Sequence, residues 1–286
     1  MNREYFEYLK LSDECRSAID SCYDFFGKSQ AFAALINDIE TGRSFAETEK
    51  DCFDLAEKTR RNPYTIMLTL IMATLDFMKS RYLAAGVCED IFYDTITDIP
   101  CKISECREVC GVYGIFAFSW YELFYKVQLF KFGRLEYQPT AFMYDTVTLN
   151  GETVKKGDFV LSVHIPSSGP LKADEVLESK KKAFDFFKDK TGGRLPLMCS
   201  SWLLFEPFAE VFKKASPNIY RFAGEFKIIK NYYDDNFSFW RVFGTYETNT
   251  ALLPEKTSLQ RAFKEYIKSG GKTGSGVGIQ IFKPTD

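Results

Sequence analysis

His164 is the only histidine of the chain, and it lies five residues before Gly169. Histidine is the side chain whose unperturbed pKa lies near neutrality, so His164 is the natural general base for a reaction that takes a proton from its substrate. The alternative interpretation is a strand histidine that only forms a hydrogen bond within the fold. The loop predicted from Pro166 to Lys172 places any partner groups directly after it.

Three polar or aromatic residues, Ser200, Ser201 and Trp202, end the second of two predicted parallel strands. Ligands bind at this end of the strands in α/β topologies. Neither serine stands in a Gly-x-Ser-x-Gly elbow, which argues against a serine nucleophile. Ser201 and Trp202 are predicted to contact the substrate, with a core position as the alternative for Trp202. Cys199 lies within the apolar strand and is interpreted as a structural thiol.

Composition and charge exclude several classes of function. The eight cysteines form no Cys-x-x-Cys pair, and a single histidine excludes a histidine-rich metal site. The net charge of −2 gives no electrostatic support for binding nucleic acid. The charged start of the chain and an apolar run limited to residues 64–75 predict a cytoplasmic protein without a membrane span.

The elements that position these residues fall into two regions. The first 130 residues predict successive helices, capped at Ser12 and Ser29, by a capping box of Ser44 with Glu47, and by Asn62-Pro63. The helix from Pro63 is predicted to run to about Gly86. Further helices are expected over residues 90–112 and 119–130. The change of period near 120–132 predicts a helical domain over 1–122 and a second domain over 123–286.

Extended segments follow in the second region. An antiparallel meander is predicted from three extended segments and two turns. The segments are 132–138, 141–149 and 159–165, and the turns are Asn150-Gly151 and Lys156-Gly157-Asp158. A helix of about eighteen residues, with Leu177, Ala183, Phe184 and Phe187 inward, then leads to the strand 195–200, which is expected to be parallel to 159–165.

The remainder of the chain predicts a helix opened by Ser216-Pro217 and a hairpin with strands 226–232 and 239–243, turning at residues 234–236. A helix capped by Thr257 with Gln260 and a final strand, 277–282, follow. The glycines at 274, 276 and 278 lack a following helix, which favours a closely packed strand over a nucleotide loop. The fold class is therefore α+β.

This order of elements resembles the GNAT acyltransferase fold, and residues 161–169 look like its central strand running into its pyrophosphate loop. In that superfamily the loop reads Gln/Arg-x-x-Gly-x-Gly/Ala, and its backbone N–H groups hold the pyrophosphate of coenzyme A. The resemblance assigns coenzyme binding to Ile165, Ser167, Ser168 and Gly169. Pro170 and Leu171 stand where the second glycine is usual, and Asp174 and Glu175 bring negative charge to the helix start.

The chain also resembles bacterial acyltransferase-domain proteins, which join a helical N-acyltransferase N-terminal domain to a GNAT-like C-terminal domain. The matching segments are Phe132–Tyr137, His164–Leu171, Ser201–Leu204, Pro217–Ile219 with Phe222, Trp240–Gly244 and Thr257–Arg261.

This resemblance implies an N-acyltransferase that moves an acyl group from acyl-CoA, as co-substrate and without a metal, to an unidentified small-molecule amine. His164 is the implied base. Two alternatives stay open at this point. The altered glycine pattern favours a non-catalytic ligand-binding protein on a degenerate GNAT fold, and it would also suit a transferase whose donor is not coenzyme A.

Overall fold

A computed structural model describes residues 1–234 and 239–284 of the chain. The chain divides into two compact units, Met1–Phe130 and Lys131–Asp286. The first unit is helical, and the second contains a mixed sheet flanked by helices. This architecture confirms the predicted α+β class.

The helices of the first unit bury apolar side chains, and one of them is buried without interruption from Ile66 to Met72. Their bounds are α1 Glu4–Tyr8, α2 Asp13–Phe26, α3 Gln30–Thr41, α4 Phe45–Thr59, α5 Pro63–Ala73, α6 Leu75–Ala84, α7 Glu89–Ile96, α8 Asp98–Cys110 and α9 Glu122–Tyr125. The predicted caps of α2, α3 and α5 are confirmed, because Ser12, Ser29 and Asn62 accept hydrogen bonds from the first turns. None of the helices in the described ranges is long and apolar enough to cross a membrane.

Three predictions for this unit are wrong. The helix expected over residues 119–130 is α-helical only over Glu122–Tyr125, and Phe130 begins a strand. Ser44 precedes α4, but its side chain makes no capping bond, and the Glu47 carboxylate lies 3.6 Å from Arg43 instead. The single helix predicted from Pro63 to Gly86 is divided at Thr74. The Thr74 hydroxyl lies 2.8 Å from the carbonyl of Leu70 and 2.5 Å from the hydroxyl of Tyr125. A hydroxyl bond to the carbonyl four residues earlier can bend a helix, and the break lies at this residue.

The second unit alternates strands and helices. In chain order they are β1 Phe130–Phe132, β2 Leu135–Ala141, β3 Val147–Leu149, β4 Glu152–Val154, β5 Phe159–His164, α10 Ala173–Thr191, β6 Leu195–Ser201, α11 Ala209–Ala215, α12 Pro217–Gly224, β7 Lys227–Tyr233, α13 Phe239–Phe243, α14 Ser258–Lys268 and β8 Gly274–Phe282. The main sheet has the order β1-β2-β5-β6-β8-β7, and β3 pairs with β4 in a separate small sheet.

The predicted parallel step is confirmed. β5 and β6 are parallel neighbours joined by the crossover helix α10, while β2 pairs antiparallel with β5 and β8 pairs antiparallel with β6. Val176, Ala183 and Phe187 of α10 are buried, whereas Leu177, which was predicted to face inward, is exposed.

The hairpin predicted at Asn150-Gly151 is confirmed, since both residues have positive φ, 51° and 81°. It does not extend the main sheet as part of a meander. Val154 of this hairpin instead packs against Val160 of β5 and Ile279 of β8, and so covers an apolar part of one face of the main sheet.

The predicted hairpin of 226–232 with 239–243 is wrong in its second strand. β7 pairs with β8, and residues 239–243 form α13. Phe239, Val242 and Phe243 are its buried residues, and their spacing of three and four is helical. Of the predicted turn, residues 235 and 236 lie outside the described residues. The capping box of Thr257 with Gln260 is confirmed. The close packing of Gly276 is confirmed as well, because an added Cβ would lie 2.0 Å from the Leu204 carbonyl oxygen.

Candidate active site

The parallel strands β5 and β6 separate toward their carboxyl ends. Their register pairs Leu161 with Leu197 and Ser162 with Met198, and among the described residues no later pair joins them. β5 nevertheless continues to His164 beside β2, and β6 continues to Ser201 beside β8. The sheet therefore opens between the two strands just where the sequence analysis expects a ligand.

Polar side chains gather on one face of the sheet beside this opening. Glu136 and Gln138 of β2 are the register partners of His164 and Ser162 of β5. Directly opposed residues of an antiparallel pair project from the same face, with Cβ atoms roughly 5 Å apart. Glu136 is 1% exposed and Ser162 is 8% exposed. We call these four residues the polar patch.

His164 has a defined partner within the polar patch. Its Nε2 lies 3.1 Å from Oε1 of Gln138. A carbonyl oxygen accepts a hydrogen bond, so this contact favours the tautomer with the proton on Nε2 and makes Nδ1 the basic nitrogen. The arrangement orients an imidazole that can accept a proton.

The predicted pyrophosphate loop follows His164 directly. Ile165 is partly buried, whereas Ser167, Ser168 and Gly169 are exposed. Gly169 has φ of +119°, a conformation that side-chain-bearing residues rarely adopt. The guanidinium of Arg134 lies behind the loop and donates to the carbonyls of Pro166 at 3.0 Å, Gly169 at 2.6 Å and Pro170 at 3.2 Å.

α10 begins immediately after the loop. Lys172 forms an ion pair of 2.6 Å with Glu175, which offsets part of the negative charge at the helix start. Beside the loop is a cleft of about 320 Å³. It is lined by Phe132, Gly133, Arg134, Ser168, Glu175, Glu178, Ser179 and Lys182.

The opposite face of the sheet is a packed structural layer under α10. The Tyr137 hydroxyl lies 3.0 Å from Ser179 Oγ, and Lys180 bonds Glu225 and Gln280. Burial raises the pKa of the Cys199 thiol to about 12, against the opposing effect of Lys180. Because the thiolate is the nucleophilic form, Cys199 is unsuited to nucleophilic catalysis.

The two residues predicted to contact substrate have defined structural partners. The Ser201 hydroxyl accepts a bond of 3.2 Å from the Leu203 amide. The Trp202 ring packs against Phe212 and Phe263, with ring centroids 5.6 Å and 5.8 Å away. By register, Ser200 rather than Ser201 projects on the face of the polar patch. A substrate role for Ser201 and Trp202 stays a prediction.

Sequence reasoning gave no role to Arg134 or Glu136, although both stand in the segment Phe132–Tyr137. The alternation of Glu136 and Gln138 along a strand was a signal that they share a face. Their position opposite His164 and Ser162 depends on the register between β2 and β5. Within the described ranges, no group of three or more His, Cys, Asp or Glu side chains could hold a metal ion.

Two family models of known protein domains match the chain. Residues 129–280 match the family model of the GNAT-like C-terminal domain, and residues 3–127 match that of the N-acyltransferase N-terminal domain. A comparison with curated proteins gives no match.

Solved acyltransferase structures share the fold. One, in complex with decanoyl-CoA and teicoplanin, is 17% identical with a TM-score of 0.74, covering 98% of this chain and 87% of that chain. Another, in complex with decanoyl-CoA, is 21% identical with a TM-score of 0.62, covering 75% of this chain and 65% of that one. A third, in complex with CoA and 10C-teicoplanin, is 17% identical with a TM-score of 0.73, covering 97% and 86%.

At these sequence identities the solved structures show only that the fold is shared, whereas the domain matches show the family to which the chain belongs. The GNAT-like match spans more than half of the chain, and the second match spans most of the remainder. The chain belongs to the family of acyltransferase-domain proteins that join an N-acyltransferase N-terminal domain to a GNAT-like C-terminal domain.

Proposed function

We propose that the protein is an N-acyltransferase that transfers an acyl group from acyl-CoA to an amine of a small molecule. The observation that carries the proposal is the opening between β5 and β6, which lies beside His164 at the end of β5 and beside the exposed loop that follows it. A thioester held in this opening would place its carbonyl near the polar patch.

The loop from Ile165 to Gly169 is the proposed site for the pyrophosphate of the donor. Backbone N–H groups of a loop and of the helix behind it bind anions without needing cationic side chains. The ion pair of Lys172 with Glu175 supports this role, because it lowers the negative charge that the first turn of α10 presents to a phosphate.

In the proposed reaction the amine nitrogen attacks the thioester carbonyl carbon. A C–N bond forms, the carbonyl becomes a tetrahedral oxyanion, and the C–S bond then breaks to release the thiolate of coenzyme A. His164, through Nδ1 or a water that it orders, accepts the proton from the attacking nitrogen. That proton can afterward neutralise the leaving thiolate, so the reaction needs no other acid or base.

Glu136 is the residue that completes the proposed base. A carboxylate beside an imidazole favours its charged form and so stabilises the imidazolium that proton transfer produces. Gln138 would hold the ring in the tautomer that presents Nδ1. Proper positioning of donor, acceptor and base accounts for much of the expected rate enhancement.

The acceptor is proposed as an amine-bearing small molecule. The related structures contain decanoyl-CoA, octanoyl-CoA and teicoplanin, and these are reasonable first test compounds for this chain.

A thermal-shift series with coenzyme A and with acetyl-, octanoyl- and decanoyl-CoA tests the proposed donor. A bound donor at 100 times its dissociation constant adds about 2.7 kcal/mol to the free energy of unfolding, which is a readily measured shift. Release of free thiol in the presence of an amine panel then tests turnover. Donor binding without turnover for any acceptor would favour a binding protein, and no shift with any coenzyme A compound would contradict the proposed donor.

A further inference from the structure

We propose that Arg134 is the positioning residue of the donor loop, which it holds in the conformation that receives the pyrophosphate. The inference rests on the proposed function. It concerns a side chain that lies about 35 residues away from the loop in sequence, at the turn between β1 and β2.

Three contacts of Arg134 are directed at the loop backbone. Its Nε, Nη1 and Nη2 donate to three different carbonyls, those of Pro170, Pro166 and Gly169. The residue is only 8% exposed. The planar guanidinium presents its donors in a fixed fork, so one side chain sets the direction of three peptide groups at once.

This orientation suits an anion on the exposed side of the loop. In a trans peptide the C=O and the N–H point in opposite directions. The Pro166 carbonyl faces Arg134, so the Ser167 N–H points away from it. A phosphate approaching Ser167 and Ser168 therefore meets a backbone in which the carbonyl oxygens on either side, those of Pro166 and Gly169, are directed to the guanidinium and not to the anion.

The same contacts explain how the loop can differ from the usual GNAT pattern. Pro170 supplies no amide donor, and the second glycine is missing. The Pro170 carbonyl is nevertheless bound by Arg134, and Gly169 keeps the positive φ that this path requires. The charge of Arg134 also counters the acidic residues at the start of α10.

Arg221 provides a matched control for Arg134. It donates to one backbone carbonyl of this region, that of Leu171 at 3.1 Å, and also to the side chain of Asn218 at 3.3 Å. Arg221 is exposed, so its replacement removes the same charge near the loop while leaving the three Arg134 contacts in place.

The test compares Arg134→Met, Arg134→Lys and Arg221→Met by calorimetric titration with coenzyme A and with pantetheine, which lacks the pyrophosphate and nucleotide. We expect both Arg134 variants to raise the Kd for coenzyme A at least tenfold and to leave the Kd for pantetheine within twofold. Lysine does not rescue because it cannot donate to three separate carbonyls from one planar group. Arg221→Met is expected to stay within threefold of the wild-type protein for both ligands.

Three results would overturn the proposal. The first is a folded Arg134→Met variant that binds coenzyme A within twofold of the wild-type protein. The second is an equal loss for coenzyme A and pantetheine, and the third is failure of both Arg134 variants to fold, which would assign the residue to the fold alone. A wild-type protein that binds no coenzyme A would overturn the proposed function as well, and this result is obtained before any variant is made.

Discussion

Glu136 of β2 and His164 of β5 are direct partners across an antiparallel strand pair, so a buried carboxylate and the only histidine of the chain project from the same face of the sheet. Gln138, one pleat further along β2, bonds the imidazole of His164. The group lies where β5 leaves β6 and enters the loop, and the contact with Gln138 orients the ring of the proposed base.

The first prediction concerns His164. His164→Ala should lower kcat by about 10²–10⁴-fold, the usual contribution of a positioned proton acceptor. The acidic limb of the pH–rate profile should disappear, because no imidazolium is left to deprotonate. Rates are measured per folded molecule, with the folded fraction taken from circular dichroism.

Thr140→Ala is the control for His164→Ala, since Thr140 lies on the same face of the sheet, opposite Val160 of β5 and outside the polar patch. It should keep both the rate and the pH profile. If His164→Ala keeps the full rate with an unchanged profile, His164 is not the base, and a water or the substrate itself takes the proton.

The second prediction separates Glu136 from His164. Glu136→Gln keeps the size of the side chain and removes its charge, which makes the imidazolium less favourable. We expect the acidic limb of the pH–rate profile to move to lower pH while kcat at its plateau falls, because a less basic imidazole is a poorer proton acceptor. Profiles recorded between pH 5 and pH 9 check this, and an acidic limb that stays in place would show that the carboxylate does not act on His164.

The third prediction concerns Gly169. Its φ of +119° makes any replacement strained, although an added Cβ would meet no atom within 4 Å. Gly169→Ala and Gly169→Glu should therefore both lose roughly 1–3 kcal/mol of the free energy of unfolding. Only Gly169→Glu should abolish the rise in Tm produced by coenzyme A, since it adds a negative charge where the pyrophosphate is proposed to lie.

Gly157 offers a control for the strain itself. It has φ of +93° in the turn before β5, with no atom within 4 Å of an added Cβ. Gly157→Ala should lower Tm without changing the coenzyme A shift. An equal coenzyme A shift in the wild-type protein and in Gly169→Glu would remove this loop from the donor site.

Local signals in the sequence were sufficient for many of the elements. Ser12, Ser29 and Asn62 act as caps through bonds to amides two or three residues away, and Asn150-Gly151 forms its turn from its own backbone preferences. The prediction of one continuous helix from Pro63 failed where a distant partner contributes to the outcome. Thr74 ends α5 through a contact that includes Tyr125, which lies 51 residues later in the chain.

In the candidate site, too, local patterns could be predicted from the sequence, whereas tertiary contacts could not. The segment from His164 to Gly169 could be identified from a strand that alternates and then ends in a loop. Glu136 and Arg134 could not, because strand register and a three-carbonyl contact are tertiary properties. The inner face of α10 was also misjudged, since hydrophobicity favours Leu177 inward, whereas Lys180 is buried and Leu177 is exposed.

The fourth prediction concerns Lys180 and Glu225, which form an ion pair under the sheet. The Lys180 side chain is 4% exposed and that of Glu225 is 30% exposed. Lys180 Nζ also donates to Gln280 Oε1 of β8 at 2.8 Å. Burial lowers the pKa of Lys180, and Glu225 opposes that effect. The ammonium depends on its partner more than the carboxylate does, because the carboxylate still reaches water.

Removing the two partners should therefore have unequal effects. Glu225→Ala leaves a buried ammonium without its counter-charge and should cost about 3 kcal/mol of the free energy of unfolding, at the low end for a broken buried pair. Lys180→Met replaces the buried charge by an apolar chain of similar length and should cost less than about 1.5 kcal/mol. The double variant should resemble Lys180→Met rather than the sum, and urea unfolding of the three variants at pH 7 measures this.

The pH dependence of the free energy of unfolding shows whether the charge of Lys180 causes the loss. A lysine whose pKa in the folded state lies below its unfolded value destabilises the protein while it is charged, and that destabilisation is relieved as pH rises above the folded pKa. In Glu225→Ala the Lys180 pKa falls further, so the deficit relative to Lys180→Met should shrink between pH 7 and pH 10. A deficit that stays constant over this range would show that Glu225 stabilises the fold by packing and not by its charge.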